Sequence, residues 1–230
     1  MNGFTLKLIA VMTMLIDHVT AVLIPEGTQA YWIGRSIGRL AFPIFCFLLV
    51  EGFFHTKNVQ KYLTRLGIFA LISEIPFDLA FSDKTNNMGF LLQQNVFFTL
   101  FIGLAVIYGM SIIEKKYANN MILSNVFDSL VVVAGCAVAI LLTTDYTYIG
   151  ILLIVSFYLF RENKILLTLS VLLVTGYLGG SFEMIASISM LFIWIYNGTR
   201  GPQGNKYLFY AFYPTHILCI YLISLLPIFH

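Results

Sequence analysis

The run from Phe4 to Ile24, FTLKLIAVMTMLIDHVTAVLI, decides how the chain folds. It is long enough to cross a bilayer, which takes about 20 apolar residues. A secretory leader is the competing reading of such a stretch. Against it stand Asp17 and His18 inside the run, and no small-x-small cleavage site follows. The run ends at Pro25-Glu26-Gly27 and is expected to remain in the membrane as the first span.

The pattern recurs along the chain. Hydrophobic residues make up 59% of the 230 residues and charged residues 10%, with a mean hydropathy of +0.88. Soluble domains carry about 25% charged residues, so an ordinary soluble enzyme is excluded. Disorder needs low hydrophobicity and high net charge. A net charge of +2 gives nucleic acid no footing. Apolar runs fall at about 4–24, 36–55, 62–81, 90–112, 122–142, 146–160, 164–179, 182–196 and 207–228. They predict an all-α, polytopic integral membrane helical bundle of about nine transmembrane helices in a single domain, 1–230. Cys46, Cys136 and Cys219 lie in apolar runs, too far apart for a metal motif, and are expected to be buried thiols. No metal is expected.

Loop charges set the orientation. Lys7, Lys57, Lys61, Arg65, Lys115, Lys116, Arg161, Lys164, Arg200 and Lys206 fall at the N-terminus and in alternate loops. The other loops hold only Arg35, Arg39 and Lys84 among basic residues, the last within the polar turn Ser82–Asn87. The positive-inside rule then places the N-terminus in the cytoplasm and the C-terminus outside.

With that orientation the costly residues share a depth. Asp17 and His18 lie in the outer half of span one, His18 about 21 Å along the helix from Phe4. Arg35 and Arg39 are four apart at the outer end of span two. Glu74 and Asp78 lie in the outer third of span three, Gln93, Gln94 and Asn95 at the outer start of span four, and Asp145 and Glu183 at outer ends. Tyr213 and His216 share a face of span nine near mid-depth. Intramembrane ionisable groups cost about 2.5–3.5 kcal/mol each on insertion scales and ask for a reason. Structural readings stand beside functional ones. Arg35 and Arg39 could anchor at the interface, Glu74 and Asp78 could pair with them, and either histidine could be a neutral core residue. Glu51 and Asp128, at inner ends, could cap the interface or pair with cytoplasmic lysines. Gly34 and Gly38 form a helix-packing signal.

A histidine beside a carboxylate suits general base work, and arginines and amides suit stabilisation of an oxyanion. Nucleophile elbow, phosphate loop, zinc signature and Cys-x-x-Cys are all missing. Base-assisted transfer to an acceptor and proton-coupled transport by a permease both fit this inventory.

Six stretches in order resemble the TraX family: Lys7 to His18; Gly34 to Phe47 through Arg35, Gly38, Arg39 and Pro43; Glu51-Gly52-Phe53; Arg65 to Asp78 through Ser73, Glu74, Pro76 and Phe77; Gln94-Asn95-Val96 with Thr99; and Phe212-Tyr213-Pro214-Thr215-His216. The resemblance implies a multi-pass acetyltransferase of the bacterial plasma membrane. Its donor would be cytoplasmic acetyl-CoA, and its acceptor would lie at the outer face. That acceptor would be a peptide or pilin-like N-terminal amine, with a glycan or lipid hydroxyl as the alternative. A non-catalytic role in pilus or secretion assembly is a further reading. In the transferase reading His18 is the base with Asp17 as its orienter, and His216 is the competing base. Arg35, Arg39, Gln94 and Asn95 bind the acyl donor. Glu74 and Asp78 hold the arginines or the amine, and Tyr213 lines the pocket. Lys57, Lys61, Arg65, Lys115 and Lys116 are candidates for the donor's phosphates. Besides donor and acceptor, the lipid bilayer is the expected partner, and nucleic acid is not.

The orientation is directly testable. A cysteine replacing Asp145, in a protein lacking its three native cysteines, should react with an impermeant thiol reagent from outside. Labelling only from the cytoplasmic side would reverse the assignment.

Overall fold

The computed structural model describes residues 1–81, 93–202 and 206–227, with the side chain of Lys206 not included. The described residues are helical apart from connections and one parallel bridge between Gln94 and Thr144. The expected turn at Ser82–Asn87, with Lys84, lies outside them.

Helix α1 (Gly3–Leu23) starts where the Asn2 side chain accepts the Thr5 N–H at 2.9 Å. It stops at Ile24, which is extended (φ −102°, ψ 131°) as a residue before proline is pushed to be. Helix α2 (Gln29–Gly38) is capped by Thr28, and α3 (Ala41–His55) follows after a break at Arg39 and Leu40. The expected span 36–55 is therefore two helices. Pro43 explains the break, because its ring excludes a helical carbonyl four residues earlier, at Arg39. Helix α4 (Val59–Phe81) contains Pro76. Helix α5 (Val96–Lys116) begins later than the apolar run, because Asn95 caps it by accepting the Phe97 N–H at 3.0 Å. Helices α6 (Met121–Leu141) and α7 (Thr147–Leu159) come next. Then α8 (Lys164–Leu172) runs into a π-helical turn, Leu173–Leu178. A 3-10 turn, Glu183–Ile188, leads into α9 (Ser189–Trp194), and α10 (Lys206–Ser224) contains Pro214.

Among the described residues five segments are long and apolar enough to cross a membrane: Gly3–Leu23, Gln29–His55, Val96–Lys116, Met121–Leu141 and Tyr207–Ser224. The four other expected spans coincide with helices that are charged or short. Helix α4 carries Lys61, Arg65, Glu74 and Asp78. The segments Thr147–Leu159, Lys164–Leu178 and Glu183–Trp194 are apolar but short. Thirteen helical residues, the length of α7, rise only about 20 Å against a core of roughly 30 Å.

Six helices close a ring. Helix α1 packs on α10, α10 on α4, α4 on α5, α5 on α7, α7 on α3, and α3 on α1. Helix α2 lies against α1, α6 against α5 and α7, and the segment 164–194 against α7 and α3. Leu6, Ile44, Leu104, Ile107, Ile151 and Phe157 are buried where these helices meet. The outer side of α6 shows Met121, Ile122, Leu130, Val133 and Leu141 to the surroundings, a surface suited to lipid. Two of the three cysteines depart from expectation: Cys46 is buried, but Cys136 is half-buried and Cys219 exposed, and all are free thiols.

Gly34 and Gly38 carry the α1–α2 contact. A Cβ on Gly34 would collide with the Thr20 side chain, and one on Gly38 with Asp17. Gly38→Ala should therefore overpack the contact at a cost of about 1–3 kcal/mol, read as a lower Tm in detergent. Gly67→Ala is the control, since its Cβ would meet the Phe101 ring at an ordinary 3.5 Å. Equal Tm values for the two variants would show that α1 and α2 can part without loss.

Candidate functional site

A cavity of about 500 Å³ lies inside the ring. All six ring helices and α2 contribute to its wall. Along α1 the lining residues are Lys7, Val11, Met14, Asp17, His18 and Ala21, one helical stripe. Lys7 and His18 are separated by about 16 Å of helix rise. The end near Lys7 is walled by Tyr62, Leu66, Phe209 and Tyr210, with the Lys7 ammonium 4.6 Å from the Phe209 ring centre. Aliphatic and aromatic groups, among them Met14, Phe45 and Leu48, line the middle. At the other end Asp17, His18, Arg35, Arg39, Asp145 and Glu183 converge, with Glu26 and Tyr31 beyond them.

The charges at this end form a chain. Arg35 Nη1 is 2.7 Å from Asp17 Oδ2, Arg39 Nη2 is 3.5 Å from Asp17 Oδ1, and Arg39 Nη1 is 2.7 Å from Glu183 Oε1. Arg39 keeps one N–H, at Nε, without a partner among the described residues. The ring of Phe182 lies 5.6 Å from its guanidinium carbon.

The two histidines form a second unit. His18 Nδ1 is 2.7 Å from His216 Nε2, and His216 Nδ1 is 2.7 Å from the Phe212 carbonyl. The rings are parallel within 6°, with centroids 5.0 Å apart. A carbonyl can only accept, so His216 Nδ1 carries the proton. Neutral His216 then accepts at Nε2, and His18 donates from Nδ1. This leaves His18 Nε2 as an unprotonated nitrogen. His18 lines the cavity; His216 stands behind it, buried, with both nitrogens engaged. Tyr213 also lines the cavity and packs edge-on against His18.

Several expected roles change. Asp17 does not orient His18: neighbouring residues on a helix point in different directions, and Asp17 is turned to the arginines while His18 meets His216. The arginines pair with Asp17 and Glu183, not with Glu74 and Asp78. Glu74 instead accepts from the side chain and backbone N–H of Asn95, and Asn95 also donates to the Ala70 carbonyl at 2.8 Å. Asn95 is wholly buried in this work, and neither it nor Gln94, Glu74 or Asp78 lines the cavity. Gln93 lines it instead. Gln94 uses its backbone to hold the α6–α7 connection: its N–H donates to Thr143 at 3.2 Å and its carbonyl accepts from Asp145 at 2.9 Å. None of Lys57, Lys61, Arg65, Lys115 or Lys116 lines the cavity; Lys7 does. Glu51 pairs with Arg161 at 2.7 Å, not with a lysine, and accepts from Tyr196 at 3.1 Å. Asp128 accepts from Ser124 at 3.3 Å.

Two residues at the α6–α7 connection line the cavity, of which the sequence singles out Asp145 only for its depth and Tyr146 not at all. Tyr146 stacks on Phe42, centroids 3.5 Å apart. Asp145 beside it faces the cavity, and its surroundings push its carboxyl up to about 6 through desolvation. Close to this pair on either side, Thr143 (φ 47°) and Thr147 (φ 43°) adopt a left-handed backbone that β-branched residues rarely take.

Fold and site together describe a helical membrane protein with a cluster of charged and histidine side chains at one end of an internal cavity. The TraX protein family model matches residues 2–224, and the chain belongs to the TraX family. It is 32% identical to the probable fimbrial assembly protein FimC (serogroup H1) of Dichelobacter nodosus, over 94% of this chain and 93% of the relative. It is also 34% identical to an uncharacterized protein of Rickettsia prowazekii, over 45% of this chain and 35% of that protein. No solved structure matches.

Arg39 holds two carboxylates, so its loss leaves Glu183 without its arginine and Asp17 with Arg35 alone. Arg39→Ala should cost about 3–5 kcal/mol, as breaking a buried pair from one side does. Glu183→Gln should cost less, because the Glu183 side chain is 27% exposed against 11% for Arg39. Thermal unfolding in detergent would test this order. A larger loss for Glu183→Gln would mean that Arg39 is not the centre of the chain.

Proposed function

We propose that this protein is a membrane-embedded acetyltransferase of the bacterial plasma membrane. It takes the acetyl group from cytoplasmic acetyl-CoA and delivers it to an amine at the outer face. The observation that carries the reading is the free Nε2 of His18 on the wall of a cavity that runs from Lys7 to the ion chain. In this reading about nine segments cross or enter the membrane, with the N-terminus cytoplasmic. The Lys7 end is then the inner end and admits the donor. Its ammonium is a point charge for donor phosphates. The largely apolar middle takes the donor's arm, and the thioester arrives beside His18.

His18 Nε2 removes a proton from the acceptor amine as its nitrogen bonds to the thioester carbon. Arg39 stabilises the oxyanion that forms. The C–S bond then breaks, and the departing thiolate takes the proton from His18. His216 acts through His18: it keeps Nδ1 occupied so that Nε2 is the basic nitrogen. The fimbrial assembly name of the Dichelobacter relative supports a pilin-like protein as the source of the amine. A glycan or lipid hydroxyl would be acetylated by the same steps.

Purified protein should gain thermal stability with acetyl-CoA, through binding to the folded state. His18→Ala should keep that gain and lose transfer by about 10²–10⁴-fold. His216→Ala should bind acetyl-CoA as well and lose less. Full transfer in His18→Ala would remove the base assignment. Absence of any acetyl-CoA stabilisation would favour proton-coupled transport.

A further inference from the structure

The carboxylates at the polar end of the cavity are not equivalent. Asp17 and Glu183 are each held by arginine. The carboxylate of Asp145 makes no hydrogen bond or ion pair with any described residue, although Asp17, Arg35, Arg39, Glu183 and Tyr146 all surround it. Its own segment is built with effort. Its N–H is tied to Gln94 at 2.9 Å, and the Tyr146 ring is stacked on Phe42. The backbone turns left-handed at Thr143 and again at Thr147. Such conformations are costly and persist where the surroundings over-determine them. The result is a carboxylate presented, unpaired, to the same cavity as His18.

An unpaired anion among paired charges is a place for a cation. An N-terminal amine at neutral pH is mostly an ammonium ion, with a pKa of about 7.7–8.0. It has no lone pair for attack until it gives up one proton, and it gives up a second as the amide forms. A hydroxyl gives up only one. We propose that Asp145 receives the acceptor's ammonium group and takes its first proton, leaving the second to His18. This rests on the acetyl-transfer reading and makes the acceptor an amine.

The protons balance. The ammonium passes one proton to the Asp145 carboxylate and becomes an amine. The amine nitrogen bonds to the thioester carbon, and its next proton goes to His18 Nε2 and on to the leaving thiolate. Protonated Asp145 releases its proton to water through the end lined by Glu26 and Tyr31. One amide, one thiol and one proton are produced.

The test is transfer from acetyl-CoA to a short peptide with a free N-terminus, as a function of pH, for wild type and Asp145→Asn. At pH 6.5 only about one N-terminal amine in twenty is neutral. Asp145→Asn should therefore be about 20-fold slower than wild type at that pH and within about twofold at pH 9, where the amine arrives neutral. Thermal stabilisation by acetyl-CoA should be unchanged in the variant. A deficit of the same size at every pH, or none at any pH, would overturn the role given to Asp145 and leave acetyl transfer standing. A wild-type protein that transfers nothing to the peptide would overturn the amine acceptor, and this inference with it.

Discussion

Charge inside a membrane has to be joined to other charge, and the chain Arg35–Asp17–Arg39–Glu183 is how this protein does it. Its members come from α1, from α2, from the junction of α2 with α3, and from the 3-10 turn that precedes α9. No single helix could supply both signs at the right height. The glycines at 34 and 38 follow from the same demand, because α2 must approach α1 closely enough for Asp17 to reach the arginines. The segment 164–194 follows too. Its π and 3-10 turns, and the left-handed Gly180 between them, form a short return that delivers Glu183 to Arg39.

The helices were largely legible in the sequence because each is an apolar run with readable ends. Asn2, Thr28, Asn95, Asn120 and Asn163 all cap helices. The break at Arg39 was also legible, in Pro43, to anyone asking which carbonyl a proline excludes. The depth argument brought the right residues to one level: Asp17, His18, Arg35, Arg39, Asp145 and Glu183 do meet. Depth along a helix is a matter of counting residues. Direction around the helix is set by neighbours that a single sequence does not name. That is why Asp17 was matched to His18 beside it and Glu74 to the arginines at its level. Asn95 was likewise assigned to a ligand when its amide serves Glu74 and Ala70. Lys7 was counted for orientation and turned out to line the cavity, because the stripe it shares with His18 faces inward.

The two histidines divide one task between them. A lone histidine in an apolar wall could offer either nitrogen. Here the Phe212 carbonyl determines the first proton position, His216 passes the constraint on, and His18 is left with one defined basic nitrogen. The constraint originates in α10, two residues before Pro214, and acts on α1 across the closure of the ring. Tyr213, buried against both rings, helps to keep them parallel.

Pairing also separates the carboxylates by role. Asp17 and Glu183 are each joined to arginine and close the ion chain. Asp145 lacks such a partner, and desolvation favours its protonated form. The backbone is left-handed two residues before it and two residues after it. In the proposed amine transfer two protons leave one nitrogen, and His18 and Asp145 are the two groups on the cavity wall to which the proposal gives them.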